Sequence, residues 1–371
     1  MASEVRRVMP EPLTAMVARI FEAAGGDATE ARAIAANLVD ANLTGHDSHG
    51  VIRTERYLVW LSRGILNFGR HAECVLEGPG FALFDGGHGF GQTVGPEAVR
   101  HGIAMARDSG LGLVALRRAG HLGRIGAFAE MAAAEGLVSI HFVNVGGSVL
   151  VAPFGGRARR MSTAPVCVGV PHAGGDFILD FATSKVAEGK VLVARKQGRR
   201  APAASLIAPD GRPGDDPDLL YGPAVAGQVD DPRRGPGALA PMGEHKGSGL
   251  ALACELLAGA LTGSGTATAT AATGGDERPH NGMLSIYLAP ERLDDGHGWS
   301  AEVSRYLAEI HACPPADPGR PVLIPGDPER RHREERLTAG VPLDDEVWES
   351  LMRAGTGQGL RREALEDIVR I

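Results

Sequence analysis

Two histidines and one arginine carry the chemistry this sequence offers. His49 stands in Gly45-His-Asp-Ser-His-Gly50 and His121 in Gly120-His-Leu-Gly123, glycine-flanked loops that lead into helical patterns. An imidazole beside a helix N-terminus feels a dipole that disfavours the imidazolium, which tunes it for proton transfer near neutral pH. Arg53 follows His49 by four residues, and if the chain is helical from residue 50 its guanidinium lies one turn along the face carrying His49. A guanidinium there can grip a carboxylate with two parallel hydrogen bonds while an imidazole faces the adjoining carbonyl. That is equipment for hydride transfer on a small 2-hydroxy/2-keto carboxylate. Each residue also has a plainer reading: a surface loop histidine, or a helix cation paired with Glu55.

A hydride-transfer enzyme also needs a place for a dinucleotide. Gly86-Gly-His-Gly-Phe-Gly91 follows a strand pattern, but its glycines alternate and no ribose-binding acid follows at the spacing of a Rossmann fold. A tight turn with positive φ accounts for it better. Pro241-Met-Gly-Glu-His-Lys-Gly-Ser-Gly249 opens a helix, where free amides and Lys246 favour an anion, though without the Walker spacing. Asp180, in Leu179-Asp-Phe-Ala-Thr-Ser184, ends a strand and can accept from a ribose hydroxyl or a histidine, or cap the next helix. The cluster Arg195, Lys196, Arg199 and Arg200 suits a 2′-phosphate or a solvated face. His46, His49, Asp47 and His121 could hold zinc or iron, yet neither an HExxH motif nor a cysteine partner supports this, and no metal is expected.

These residues need a scaffold. The 371 residues are 43% hydrophobic, enough for a sizeable core. A net charge of −7 and 5% aromatics leave nothing to displace phosphate counterions or stack bases, so nucleic acid is not an expected partner. The longest apolar run, Gly249–Gly263, is too short to span a bilayer and contains Glu255. The start, MASEVRRVMPEP, lacks the apolar core of an export signal, and a cytoplasmic protein is expected. Cys74, Cys167, Cys254 and Cys313 form no CxxC pair and read as small core hydrophobes in a reducing compartment.

Apolar spacing predicts helices over Pro12–Ala24, from a capping box at Asp27–Glu30 to Leu43, and over Val51–Arg63, Thr93–Asp108, Ile125–Glu135 and Lys246–Leu261. Strands are predicted at Cys74–Glu77, Phe81–Asp85, Gly112–Leu116, Ser139–Asn144, Val166–Val170, Phe177–Asp180 and Met283–Leu288. Pro209–Pro241 reads as a long loop, Thr266–Gly274 as a mobile Thr/Ala loop, and three or so helices close the chain. The sum is an α/β layered fold with a mixed sheet.

Six blocks in order resemble the malate/L-lactate dehydrogenase family, which also includes ureidoglycolate dehydrogenase, sulfolactate dehydrogenase and 2,3-diketogulonate reductase. They are HDSHGVIRTERYLVWLSRGILN after Gly45, GLVALRRAGHLGRIGAF from Gly112, VAPFGG, LDFATSKVAEGKV, PMGEHKGSGLAL and IPGDPERRHREERLTAGVPLDDEVW. The resemblance covers nearly the whole chain. It implies a family-specific, non-Rossmann NAD(P)-binding domain and a homodimer with active sites close to the subunit interface. It implies His49 and His121 as the two candidates for proton donor and acceptor, Arg53 as the substrate carboxylate's anchor, and Ser48 nearby. NAD or NADP would contact Ile178, Leu179, Asp180, Phe181, Ala182 and Thr183, then His245 and Lys246, and the loop Gly326-Asp327-Pro328. The expected lobes are 1–120 (helical and substrate-binding), 121–290 (cofactor-binding) and 291–371 (helical, packing back on the first).

The chain departs from the family in two places. Ser162-Thr-Ala-Pro165 stands where the family usually has Gly-Thr-Asn-Pro, so Ala164 lacks the donors and acceptor of an amide. Asn144-Val-Gly-Gly-Ser148 looks expanded. Three other readings follow. A cyclic-imine (C=N) carboxylate reductase would use the same groups, a metal-dependent hydrolase would use the His46 cluster, and a catalytically silent dimeric binding protein would keep only the fold.

Overall fold

In a computed structural model, residues 6–225, 230–269 and 278–370 are described. The first five residues and most of the Thr/Ala stretch, from 270 on, lie outside them. Strands and helices introduced in chain order are β1 (Arg6–Val8), α1 (Pro10–Ala23), α2 (Ala28–Leu43) and α3 (Thr54–Ser62). Then come β2 (Glu73–Gly78), β3 (Phe81–Asp85), α4 (Gly91–Ser109), β4 (Leu111–Ala119), α5 (Gly126–Ala134), β5 (Val138–Gly146), β6 (Pro165–Val170) and β7 (Phe177–Ala182). The middle holds α6 (Glu188–Lys196), β8 (Leu206–Ile207), β9 (Pro213–Gly214), α7 (Asp218–Tyr221), β10 (Ala238–Leu239) and α8 (His245–Cys254). After it come β11 (His280–Leu288), α9 (Trp299–His311), α10 (Asp327–Ala339), β12 (Val341–Leu343), α11 (Asp345–Gly357) and α12 (Arg362–Val369).

The centre is a seven-stranded sheet in the order β2-β3-β4-β11-β5-β6-β7. Only β3 and β4 pair in parallel; the remaining neighbours are antiparallel, so this is a mixed sheet and not a doubly wound Rossmann one. Strand β11, late in sequence, inserts between β4 and β5 and draws strands from both sides of residue 120 into one layer. Helices α4 and α5 cover one face, packing Val94, Val99 and Phe128 against Leu116, Val143 and Met283. A second core joins the chain's ends: Leu13, Ile20, Ile34 and Leu38 of α1 and α2 meet Trp348, Leu351 and Leu365 of α11 and α12. Strands β1 and β12 close that core as a two-stranded ribbon. The C-terminal helices therefore hold the N-terminal helices that present His49 and Arg53.

Several expectations are corrected in detail. Asp27 does cap α2, accepting from Thr29 and Glu30 amides at 2.9 and 3.1 Å, but Glu30 turns away to the Gly69 amide at 2.8 Å, so the box is not closed. Residues 51–53 form a 3-10 turn before α3 begins at Thr54. The long loop holds β9, α7 and β10, and β8–β10 form a three-stranded sheet whose two-residue strands are too short to show alternation. Helix α6, for which the sequence offers no range, is the next helix after Asp180 and begins at Glu188. The predicted helix to Leu261 widens into a π-helical turn at Glu255, whose buried carboxylate accepts from Ser162 N and Ala267 N at 3.0 and 2.8 Å. Of the cysteines, Cys167 and Cys254 are buried, but Cys74 and Cys313 are exposed. Among the described residues no helix is long and apolar enough to cross a membrane.

Candidate active site

Helix α2 delivers the chain into two consecutive 3-10 turns, Asp47–His49 and Val51–Arg53. Asn42 pins both: its amide donates to Asp47 at 2.6 Å and its oxygen accepts from the Val51 amide at 2.9 Å. A side chain at Gly50 would strike the Asn42 amide, so only glycine lets the turns close around it. Arg336 of α10 grips Asp47 from the other side at 2.7 Å. Because the segment is 3-10 and not α-helical, Arg53 does not project one α-turn along a face from His49. It folds back, and its Nε donates to the Ser48 carbonyl at 2.6 Å. Ser48 in turn lies 3.2 Å from His49 Nδ1 through its hydroxyl.

His121 arrives from the end of β4 and meets this loop. The two imidazoles lie nearly parallel, 11° between planes and 5.6 Å between centroids. Its position depends on the glycine-rich turn 86–91, which is a left-handed turn with Gly87 at φ +54° and His88 at φ +57°. Gly120 donates to the Gly89 carbonyl at 2.8 Å, and a Cβ at Gly91 would strike the His121 carbonyl. These glycines serve close backbone approach behind His121. Tyr57 Oη lies 2.7 Å from His121 Nδ1, and Gln92 Nε2 donates to both Tyr57 Oη (3.1 Å) and the His121 carbonyl (3.2 Å). Tyr57 Oη accepts from Gln92 and pairs with Nδ1 in either tautomer of the neutral ring, as donor to it or as acceptor from Nδ1–H.

Electrostatics keep both rings neutral. Burial, then the Arg53 charge, holds the His49 imidazolium down to about 3. Burial and then Arg53, His49 and Arg56 push His121 well below its ordinary value. Burial raises Tyr57 to about 12, so it remains a hydrogen donor across the physiological range. Arg53 is itself lowered by burial and by Arg56, with Glu188 opposing. His49, His121, Arg53 and Ser48 thus converge. His46 does not join them: its Nε2 lies 3.2 Å from Glu329. Among the described residues the group with ligand-like spacing for a metal is instead Asp294, Asp295 and His297, two of them exposed.

The residues expected around a dinucleotide are strung along β7. At its start Ile178 donates to the Pro325 carbonyl at 3.2 Å, placing Gly326-Asp327-Pro328 beside the strand. Gly326 has φ +102° and a Cβ there would lie 2.6 Å from the Asp176 carbonyl. Asp327 accepts from Ile324 N and His311, fixing that loop at 3.0 and 2.7 Å. Midway, Asp180 accepts from the Gly126 amide at 2.7 Å; it caps α5, not the helix that follows it. Burial raises its carboxyl against the opposing Gly126 bond and the His46 and Arg124 charges. At the far end Thr183 accepts from Met242 N at 2.9 Å, which sets the exposed His245 and Lys246 at the N-terminus of α8. There, left-handed Gly243 (φ +52°) and Glu244 (φ +58°) precede the helix, and a cavity of about 490 Å³ opens between Phe154, Arg160, Met161, His245, Ser248 and Leu252. A helix start, the Arg160 guanidinium with Lys246 nearby, and an apolar wall fit a phosphorylated aromatic ligand. Arg195 is committed elsewhere, to Asp218, Asp230 and the Gly222 carbonyl.

The two departures also find a place. Fully buried Ala164 has φ +34°, a backbone that asparagine adopts more readily than alanine. Asn144 bonds the Gly265 carbonyl at 2.8 Å and Gly282 N at 3.1 Å, so β5 continues to Gly146 and braces the π turn. Tyr57, Gln92, Asn42 and Glu188 were missed by sequence reasoning. Tyr57 had a signal: a buried phenol on a helix requires a polar partner.

The family model for malate/L-lactate dehydrogenase matches residues 8–352. Hydroxycarboxylate dehydrogenase B of Escherichia coli O157:H7 is 37% identical over 358 residues, 96% of this chain and 95% of that protein. A solved Escherichia coli structure described as a malate/lactate dehydrogenase superposes with a TM-score of 0.90 at 35% identity, covering 98% of this chain and 99% of the other. The Δ1-piperideine-2-carboxylate reductase of Pseudomonas syringae has a TM-score of 0.78 at 28% identity, covering 94% and 99%. With the match running from β1 into α11, the chain belongs to the malate/L-lactate dehydrogenase family and is an oxidoreductase.

Proposed function

We propose that this enzyme moves a hydride between NAD or NADP and C2 of a small 2-hydroxy/2-keto carboxylate. The observation that carries the reading is the parallel His49–His121 pair beside a half-buried guanidinium. Ile178–Thr183, His245, Lys246 and Gly326–Pro328 would hold the cofactor, whose nicotinamide supplies or receives the hydride when bound. Arg53 has Nε engaged by Ser48, so its terminal nitrogens orient the substrate carboxylate. His121, steered by Tyr57 and Gln92, presents Nε2 to the C2 oxygen; His49 is the alternative partner on the same face. In the oxidising direction the ring with its proton on Nδ1, donated to Tyr57 Oη, takes the hydroxyl proton at its free Nε2. In the reducing direction it must first be protonated, and a carboxylate on Arg53 helps by neutralising the charge that opposes imidazolium.

The likeness to a Δ1-piperideine-2-carboxylate reductase supports a second reading, reduction of a cyclic C=N next to a carboxylate, because the same proton and anion sites would serve. The proposed assembly is a homodimer: exposed Leu252, Leu256 and Leu261 run along α8 and the π turn, a surface suited to a second copy. The proposed setting is the cytoplasm, where free thiols stay reduced. The test is cofactor oxidation, with NADH and NADPH in parallel, against 2-keto acids and cyclic imine carboxylates. Turnover confined to imines would favour the second reading, and oxidation with neither class would sink both.

A further inference from the structure

Glu188 opens α6, and its carboxylate lies 3.9 Å from the terminal nitrogen of Arg53 with only 12% of its side chain exposed. It is held there. Tyr221 of α7 donates to Glu188 Oε1 at 2.7 Å. The Tyr221 ring is 2% exposed and lies under the Arg195 guanidinium at 5.4 Å. Arg195 is in turn fixed by Asp218, Asp230 and the Gly222 carbonyl. Next to Glu188, a Cβ at Gly189 would lie 2.6 Å from Ser48 Cβ, so the start of α6 is seated directly on the Ser48–His49 turn.

A carboxylate beside the guanidinium that is to receive a carboxylate changes the charge the site offers. Arg56, half-buried on α3 and three residues on from Arg53, adds its charge at Arg53, Tyr57, His121 and Tyr221. Two guanidiniums against one carboxylate, with both imidazoles neutral, leave a single positive charge. We infer that Glu188 is a specificity-determining residue that fits the site to singly charged 2-hydroxy/2-keto acids and disfavours those with a second anionic group. This rests on the reaction proposed above and decides between the two substrate types in the family's own name. A monoanion brings these three side chains to neutrality, and the nicotinamide adds the same charge whichever acid is bound. In a three- or four-carbon dianion the two carboxylates are at most about 5 Å apart, so the second cannot escape the field of Glu188.

The experiment compares matched pairs differing by one carboxylate, racemic lactate with racemic malate and racemic glycerate with achiral tartronate, using the full chain and its preferred nicotinamide cofactor at low ionic strength. The wild type is expected to give the higher kcat/KM with each monoanion. Glu188→Gln should shift the ratio towards the dianions by about tenfold, mainly through their KM, and the shift should shrink at high salt. An unchanged ratio in Glu188→Gln would overturn the inference while leaving the reaction standing. If that variant does not fold, wild-type preference for malate and tartronate would overturn it equally. Turnover with none of the four acids removes the reaction and this inference together.

Discussion

His141 and the His49–His121 pair share a depressed imidazolium and differ in exposure, hydrogen-bond partners and neighbouring charge. Burial alone holds the His141 imidazolium down to about 3, the same figure that burial and Arg53 together give His49. Yet His141 sits inside the sheet with Nδ1 2.8 Å from Ser285 Oγ and Nε2 3.1 Å from Ser139 Oγ, its ring 0% exposed. Both nitrogens are satisfied and no cation is among the causes of its shift. At His121 one nitrogen is held by Tyr57, the other edge is open, and the second cause is a guanidinium that a ligand can neutralise. A displaced pKa therefore marks burial in both places. What separates a proton-transfer site from a core histidine is an uncommitted nitrogen beside a charge that substrate binding can change.

The widest break in the comparison is expected from alanine at each position. His121→Ala should lower kcat by about 10²–10⁴-fold while the cofactor dissociation constant barely moves. His141→Ala should do the reverse. Turnover persists, but the cavity and two stranded serine hydroxyls remove about 2–4 kcal/mol, read from the urea midpoint. A folded His141→Ala enzyme without activity would show the two environments to be one functional unit. A smaller effect sharpens the distinction from the pocket side. Tyr57→Phe keeps the ring that packs on Phe90 and deletes the hydrogen-bond partner of Nδ1. It should lower kcat about tenfold with little change in KM; an unaltered kcat would mean that His121 needs no tautomer control.

How far the sequence anticipates this depends on whether a feature is local. The short apolar run Phe81–Phe84 and the apolar stripe of α1 decide their own structure, and the elements stand where the pattern puts them. His49, Arg53 and His121 each look ordinary alone; six blocks in family order single them out, and the fold brings them together. The Arg53 geometry is not legible, since it turns on a 3-10 segment that Asn42 imposes from α2. Glu188 and Tyr221 each look ordinary, one a polar helix start and the other an aromatic in a Pro/Gly-rich stretch. Only the packing of α6 and α7 beside Ser48 makes them a pair. The β1–β12 ribbon, which pairs Arg6–Val8 with Val341–Leu343, is invisible for the same reason.

The smallest expected effect is in acid stability, and it separates the histidines by their response to ligand. For His49 and His141 the folded-state pKa of about 3 lies below the ordinary 6.5 of the unfolded chain. The unfolded chain thus binds more protons between those values. Each group's contribution is whole above pH 6.5 and is lost progressively as pH falls towards 3. At pH 5.5 each histidine gives up about 1.4 kcal/mol. Replacing His141 with Gln should flatten the slope of unfolding free energy against pH by nearly one proton, with or without ligand. Oxamate, a monocarboxylate seated on Arg53 with the cofactor present, should act differently. By cancelling the charge that is the second cause of the His49 and His121 shifts, it raises their folded pKa values and flattens only the pocket's share. Urea titrations at several pH values, with and without oxamate, read both slopes. Equal responses to oxamate in the wild type and in His49→Gln would mean that Arg53 does not control the His49 imidazole.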